Sequence, residues 1–178
     1  AKQSAILNAL PAHIALLDTQ GVILSVNEAW RKFADANVLL GPGHAVGVNY
    51  LDICDRARGE DAFEAREAAA GIRSVLSGAE KNFSLVYPCH SPTEQRWFLL
   101  TVTPLADDRP NGVVVMHLNI TENKLAEDAV LREKNFTNAM LDSMPGLFYL
   151  IDGEGRFIRW NKNFQTVSGY SFDEFSNL

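Results

Sequence analysis

Residues 81–121 read KNFSLVYPCHSPTEQRWFLLTVTPLADDRPNGVVVMHLNIT. Val, Leu, Phe, Trp and Thr dominate three segments of this stretch, and such residues favour β-strands. The predicted strands run at about 83–87, 96–105 and 112–120. The connections at 88–92 and 106–111 are rich in Pro, Asp, Ser and Asn, which favour turns. Three consecutive strands with short turns predict an antiparallel meander.

The side chains of a strand alternate between the two faces of its sheet. In the third predicted strand one face carries Val113, Val115, His117 and Asn119. In the second predicted strand one face carries Phe98, Leu100 and Val102. Both faces are largely apolar, so we expect one to hold the core of the domain and the other to meet a helix or another subunit.

The composition excludes several classes of protein. The chain has 178 residues, 47% of them hydrophobic and 21% charged, with a formal net charge of −6. We find no cluster of Lys and Arg that would bind nucleic acid. We also find no apolar run of the roughly 18 residues that a membrane-spanning helix requires. Cys54 and Cys89 form neither a metal-binding spacing nor a disulfide framework, so we expect no metal and a cytoplasmic location. The first residue is Ala, which suggests a piece of a longer protein.

The residues before the meander predict a hairpin and several helices. A helix at 2–10 ends at Pro11, and Asp18 to Gly21 form a tight turn between two strands. Asn27 caps the helix that follows. The predicted strands run at 13–17 and 22–26, and the predicted helices at 28–36, 49–57 and 61–76, with a loop at 37–47.

The residues after the meander predict a linker helix and an internal repeat. Residues 121–143 lack Gly and Pro and predict an amphipathic helix, which leaves a coiled coil open. An offset of 134 aligns LPAHIALLDTQGVILSVNEAW, from residue 10, with MPGLFYLIDGEGRFIRWNKNF, from residue 144, without a gap. We therefore expect a domain at 1–121, a linker helix at 122–143 and the N-terminal part of a second copy at 144–178.

This order of elements resembles the PAS domain family. The resemblance is carried by Asp18, Gly21 and Asn27 in the first hairpin and helix, by Thr103-Pro104 in the meander, and by Asn119-Ile-Thr-Glu122 at its exit. The exit resembles the family's Asp-Ile-Thr-Glu motif, with Asn119 in place of Asp. The resemblance implies an α+β fold with a five-stranded antiparallel sheet, helices on one face, a linker helix and the start of a second PAS domain.

The resemblance also implies a function. Such a chain would be a sensory and signal-relay module of a bacterial multidomain signalling protein, of the histidine kinase or diguanylate cyclase/phosphodiesterase type. We expect no enzymatic activity in this chain, because it shows no nucleophile–base constellation and no phosphate loop. A homodimer through the linker helix and the outer sheet face is expected. The alternative is a ligand-free dimerisation module with a filled core.

A ligand would lie between the sheet and the helices. His117 takes the strand position where flavin-binding relatives place a polar residue against the ring, although a core His bonded to a carbonyl is the alternative. The candidate binding residues are His117, Asn49, Tyr50, Phe98, Leu100, Val115 and Asn27. FAD or FMN stays open as a cofactor. Photoactive flavin-binding relatives carry a Gly-Arg-Asn-Cys-Arg motif on the short helix, but here Cys54 is displaced from the Cys position, which argues against cysteinyl-flavin photochemistry. Haem is less favoured, because helix 61–76 has no His and His44 lies in a loop. His13 is expected at a surface or edge position, and His90 at the surface.

Overall fold

The computed structural model describes residues 7–37, 45–59, 62–90, 94–106, 111–170 and 174. The chain divides into two compact units, Ala1–Thr121 and Glu122–Leu178. The strands of the first unit are β1 (Ala12–Leu17), β2 (Ile23–Val26), β3 (Phe83–Pro88), β4 (Trp97–Pro104) and β5 (Val113–Asn119). Its helices are α1 (Glu28–Asn37), α2 (Tyr50–Arg56) and α3 (Ala62–Leu76). Helix α4 (Thr121–Ser143) follows, and then come β6 (Tyr149–Ile151), β7 (Phe157–Trp160) and α5 (Lys162–Ser168).

The five strands of the first unit form one antiparallel sheet in the order β2-β1-β5-β4-β3. This arrangement confirms the predicted α+β fold and the predicted meander. The predicted strands and helices agree with the observed ones to within one or two residues. Only 7–9 of the helix predicted at 2–10 are described as helical, and its residues 2–6 lie outside the described residues.

The core lies between one face of the sheet and the helices. On this face Val102 pairs with Val115, and both side chains are fully buried. Helix α3 covers them with Ala69 and Ile72, which are also fully buried. The opposite face carries partly exposed side chains such as Met116. The alternation read from the sequence therefore separates the core face from the outer face.

The internal repeat is visible in the hydrogen bonds of two asparagines. Asn27 Oδ1 accepts from the backbone N–H groups 13 residues before it and three residues after it, both at 3.0 Å. Its Nδ2 donates to the carbonyl 15 residues before it, at 2.8 Å. Asn161 repeats these bonds at the same sequence separations, at 3.0, 3.1 and 2.9 Å. Each asparagine thus fixes its helix start against the strand that opens its own hairpin.

The turns of the two hairpins also match. Asp18 Oδ1 accepts from the N–H groups two and four residues later, at 2.8 and 2.9 Å. Asp152 makes the same two bonds, each at 2.9 Å. Gly21 and Gly155 close the turns at φ 84° and 83°, a left-handed conformation that favours glycine. The predicted repeat is confirmed down to individual turn residues.

The exit from β5 is tied back to β4. Asn119 Oδ1 accepts from the backbone N–H of Thr121 at 3.0 Å and from its hydroxyl at 2.6 Å. The Thr121 hydroxyl oxygen in turn accepts from the N–H of Trp97, at 3.0 Å. Asn119 therefore does by neutral hydrogen bonds what an Asp would do at this position. The first residue of α4 is held through a three-residue chain of contacts.

Within the described residues, none of the helices combines the length and the apolar character that crossing a bilayer requires.

Candidate functional site

A cavity of about 260 Å³ lies where α1 and α2 face the sheet. Most of its walls are aromatic rings, and the described residues that line it include neither a carboxylate, a lysine nor an arginine. The lining residues are His13, Trp30, Phe33, Ala34, Tyr50, Ile53, Tyr87, Cys89, Phe98 and His117. We refer to it as the aromatic cavity.

His117 is held between two tyrosines. Its Nδ1 lies 2.6 Å from the hydroxyl oxygen of Tyr87, and its Nε2 lies 3.2 Å from that of Tyr50. Tyr50 begins α2, Tyr87 lies on the edge strand β3, and His117 lies on the central strand β5. Three separate elements of the fold therefore meet in one hydrogen-bonded Tyr–His–Tyr group.

This group is uncharged at neutral pH. Burial, reinforced by the nearby His13, lowers the pKa of His117 to about 3. Burial also raises the pKa of both Tyr50 and Tyr87. A neutral imidazole has one donor and one acceptor nitrogen, so one tyrosine donates to it and the other accepts from it. The accepting hydroxyl keeps its own hydrogen for a further acceptor.

Trp30 lines the aromatic cavity and carries a buried polar atom. Its side chain is 8% exposed, and its indole Nε1 is buried without a hydrogen-bond partner. The ring lies 5.6 Å from that of His117 and 6.2 Å from that of Tyr50, between centroids. A buried N–H group without a partner is costly, so an acceptor on a bound molecule would stabilise this site.

A smaller cavity of about 170 Å³ adjoins the first. The two cavities share Tyr50, Tyr87, Cys89 and His117 as lining residues. Leu100 and Cys54 line only the smaller one, together with Glu64 and other residues of α3. Burial raises the pKa of the Cys54 thiol to about 11, so the thiol is neutral and unreactive, as a small buried side chain would be.

The structure brings four of the predicted binding residues to these cavities. His117 and Tyr50 line both, Phe98 lines the aromatic cavity and Leu100 lines the smaller one. Val115 is fully buried in the core.

The two predicted asparagines use their side chains inside the fold. Asn27 makes the repeated bonds described above, and its Nδ2 also donates to Leu7 O at 3.0 Å. Asn49 caps α2 by accepting from Leu51 N–H, and it donates to Gln20 O. Neither is among the residues that line the two cavities. Their role as ligand-binding residues stays a prediction that this geometry does not favour.

The expectation for His13 was wrong. His13 was predicted at the surface or at an edge, but β1 is an interior strand and His13 lies directly opposite His117 on β5. Its ring stacks on Phe33 at 4.4 Å between centroids, and burial lowers its pKa. His90 is exposed, as expected, and His44 lies outside the described residues.

The sequence analysis also missed Tyr87, Trp30 and Phe33 as lining residues. Tyr87 pairs with Phe98 across β3 and β4, so strand parity alone places it on the core face. The sequence places Trp30 and Phe33 three residues apart in α1, a spacing that puts both on one face of a helix. Nothing in that pattern distinguishes a ring that fills a core from one that lines a cavity.

The comparison with protein families agrees with this geometry. A family model described as a PAS fold matches residues 7–125, and another described as a PAS domain matches residues 135–178. The chain belongs to the PAS family. The second match coincides with the repeated hairpin at β6 and β7, so a second PAS domain starts near the end of this chain.

Individual relatives have diverse descriptions. An uncharacterized 104.1 kDa protein of Rhodobacter capsulatus, described by its position in the hypE 3' region, is 43% identical over 119 residues. The match covers 66% of this chain but only 12% of that protein. Two solved structures are similar to this PAS chain. The phage VqmA–DPO complex is 20% identical with a TM-score of 0.50, covering 99% of this chain and 75% of that one. The sensor region of a sensor histidine kinase is 24% identical with a TM-score of 0.47, covering 63% and 40%.

Proposed function

We propose that this chain is the sensory and signal-relay part of a bacterial multidomain signalling protein, and that it binds a small neutral heterocyclic molecule in the aromatic cavity. The observation that carries the proposal is the Tyr50–His117–Tyr87 group at the wall of that cavity. Its hydrogen-bonding groups are neutral, oriented and buried, which suits the recognition of a polar but uncharged molecule.

The lining residues define the chemical class of the ligand. Stacked aromatic rings favour a flat molecule, and the orphan N–H of Trp30 favours one with an acceptor. If Tyr87 is the accepting tyrosine, its hydrogen calls for a second acceptor or for a group that both donates and accepts, whereas Tyr50 is also hydrogen-bonded to Cys54. Because the described lining residues include neither a carboxylate, a lysine nor an arginine, a charged ligand would lose its hydration without compensation.

The same features weigh against the larger cofactors. The volume of about 260 Å³ is below the roughly 300–1,000 Å³ of pockets that hold drug-sized ligands. Both ring nitrogens of His117 already bind tyrosines, so neither is free to ligate a haem iron. We therefore propose a compact ligand in preference to FAD, FMN or haem.

The relay would run along β5. His117 is two residues before Asn119, and Asn119 holds Thr121 at the start of α4. A ligand that reorients the Tyr–His–Tyr group would shift β5 and alter these bonds, which biases α4 and whatever domain it leads to. The output, whether a histidine kinase or a cyclic-dinucleotide enzyme, would belong to the rest of the protein, and this chain would have no catalytic activity of its own.

Helix α4 also supports the proposed homodimer. Val130, Leu131 and Phe136 are large apolar side chains that are more than half exposed on it, at 67%, 54% and 66%. A second copy of the helix would cover such residues and carry the signal between two chains. Light scattering of the purified chain should then give twice the mass of one chain.

The experiment has two arms. Mass spectrometry of the molecules released by denaturing the purified chain would identify a ligand retained from the host cell. In parallel, 2-pyridone, which is flat, neutral and carries one donor and one acceptor, is titrated while amide NMR shifts are recorded. Benzoate, a charged ring of similar size, serves as the ligand control.

The variants decide where the molecule binds. Tyr87→Phe should weaken 2-pyridone binding by roughly fivefold or more, whereas the control Tyr149→Phe in β6 should leave it unchanged. Equal binding of benzoate and 2-pyridone would contradict the proposed ligand class. A chain that releases nothing and binds neither would favour the dimerisation module.

A further inference from the structure

The smaller cavity has a polar group that the proposed ligand does not use. Glu64, from the first turn of α3, lines this cavity, and its carboxylate oxygen Oε2 is buried without a hydrogen-bond partner. A carboxylate oxygen can only accept hydrogen bonds, so it needs a donor. A buried acceptor that lacks one destabilises the fold unless a bound molecule supplies it.

The other lining residues do not supply that donor. No donor on a lining residue lies within hydrogen-bond distance of Oε2, and the described lining residues include neither a lysine nor an arginine. Most of the remaining wall is apolar, with Ala65, Ala68 and Leu100 among its members. Glu64 is half-buried, and a carboxylate beside largely apolar and aromatic walls suits a cation whose body is itself apolar.

The charge of the Glu64 carboxylate and the aromatic walls of the smaller cavity together favour an organic cation as the ligand. The rings of Tyr50 and Tyr87 offer π faces, which attract ammonium groups. One carboxylate oxygen provides far fewer ligands than a metal ion requires, and the described residues include no cluster of three or more metal-ligating side chains. The volume of about 170 Å³ holds roughly five to six water-sized groups at about 30 Å³ each.

We propose that the smaller cavity is a binding site for a small primary alkylammonium ion whose N–H group donates to Glu64 Oε2. The alkyl chain would lie against Ala65, Ala68 and Leu100. This site is separate from the one proposed for the heterocyclic ligand, but both have the Tyr50–His117–Tyr87 group as a wall. Occupancy of either would therefore be sensed by the same three side chains.

The test compares n-butylammonium chloride with n-butanol, which has the same number of non-hydrogen atoms and no charge. Each is titrated into the full chain at constant ionic strength, with amide NMR shifts as the readout. The ammonium ion should bind at least tenfold more tightly than the alcohol, as a charge-assisted hydrogen bond implies. The shifted amides should include those of α3 near Glu64.

Two matched variants isolate the carboxylate. Glu64→Gln keeps the size of the side chain and should weaken butylammonium binding at least tenfold, with n-butanol unaffected. Glu67→Gln, an exposed position one turn further along α3, should change neither. Equal binding of the two probes, equal binding to wild type and Glu64→Gln, or no binding at all would each overturn the proposal. None of these outcomes bears on 2-pyridone binding, which is measured separately.

Discussion

Acid should destabilise the first PAS domain through one side chain, His117. The folded chain keeps this imidazole neutral down to a pKa of about 3, because burial and the nearby His13 both oppose its charge. In the unfolded chain its pKa returns to about 6.5. Between these two values the unfolded chain binds a proton that the folded chain does not, so stability rises with pH across this window.

The magnitude follows from the width of the window. Within this window each pH unit changes the free energy of unfolding by about 1.4 kcal/mol. Lowering the pH from 7 to 5 crosses about 1.5 units of the window, because the window begins at about 6.5, so it should remove about 2 kcal/mol. The full loss, reached near pH 3, would be about 5 kcal/mol. Above pH 6.5 the contribution of His117 should be constant.

Urea unfolding at pH 7 and pH 5 tests this, with His117→Gln as the comparison. The variant lacks the titrating group, so its loss on acidification should be about 2 kcal/mol smaller than that of wild type. His13, whose pKa burial also lowers, titrates in the same direction in both proteins. The exposed His90→Gln serves as the control and should behave like wild type. Equal losses in wild type and His117→Gln would refute the reasoning.

Three further changes test the fold. Gly71→Ala should lower the free energy of unfolding by about 1–2 kcal/mol despite the better helix propensity of Ala, because the added methyl group overlaps the Phe83 ring. A free energy of unfolding in urea that is higher than that of wild type would contradict this. Asn27→Ala should cost about 2–4 kcal/mol, since it leaves several buried backbone groups without partners, and a loss below 1 kcal/mol would argue against it. Asn119→Ala should speed amide exchange in the first turn of α4 by releasing Thr121, whereas Asn119→Asp should preserve protection; equal exchange in the two variants would remove Asn119 from the relay.

The sequence predicts most of the fold because its elements are set by local patterns. Alternation along β5 places Val115 and His117 on the core face, and the structure buries both. The 134-residue offset predicts that Asn161 repeats Asn27, and the two make the same bonds. Such features depend on residues close in sequence, which patterns can capture.

The candidate site is harder to predict from sequence patterns, because it is built from residues that are far apart in the sequence. His117 is bonded by Tyr50, 67 residues away, and by Tyr87, 30 residues away. His13 enters the site only because β1 lies beside β5, a pairing that strand patterns do not specify. Trp30 Nε1 and Glu64 Oε2 are buried without a hydrogen-bond partner, because no suitable group among the described residues lies within reach of either atom. No local pattern reports the absence of a partner.

The strand order has a consequence for how the chain is made. β5 is the middle strand of the sheet and the last of the five to leave the ribosome. Until it emerges, the β1–β2 hairpin and the β3–β4 pair have no strand to join them, and each exposes an unpaired edge. When residues 113–119 arrive they fill the gap between the two pieces, so the sheet is completed in one late step. The residues that leave the ribosome next are those of α4, so the sensing sheet can be completed before the helix that would report its state has fully emerged.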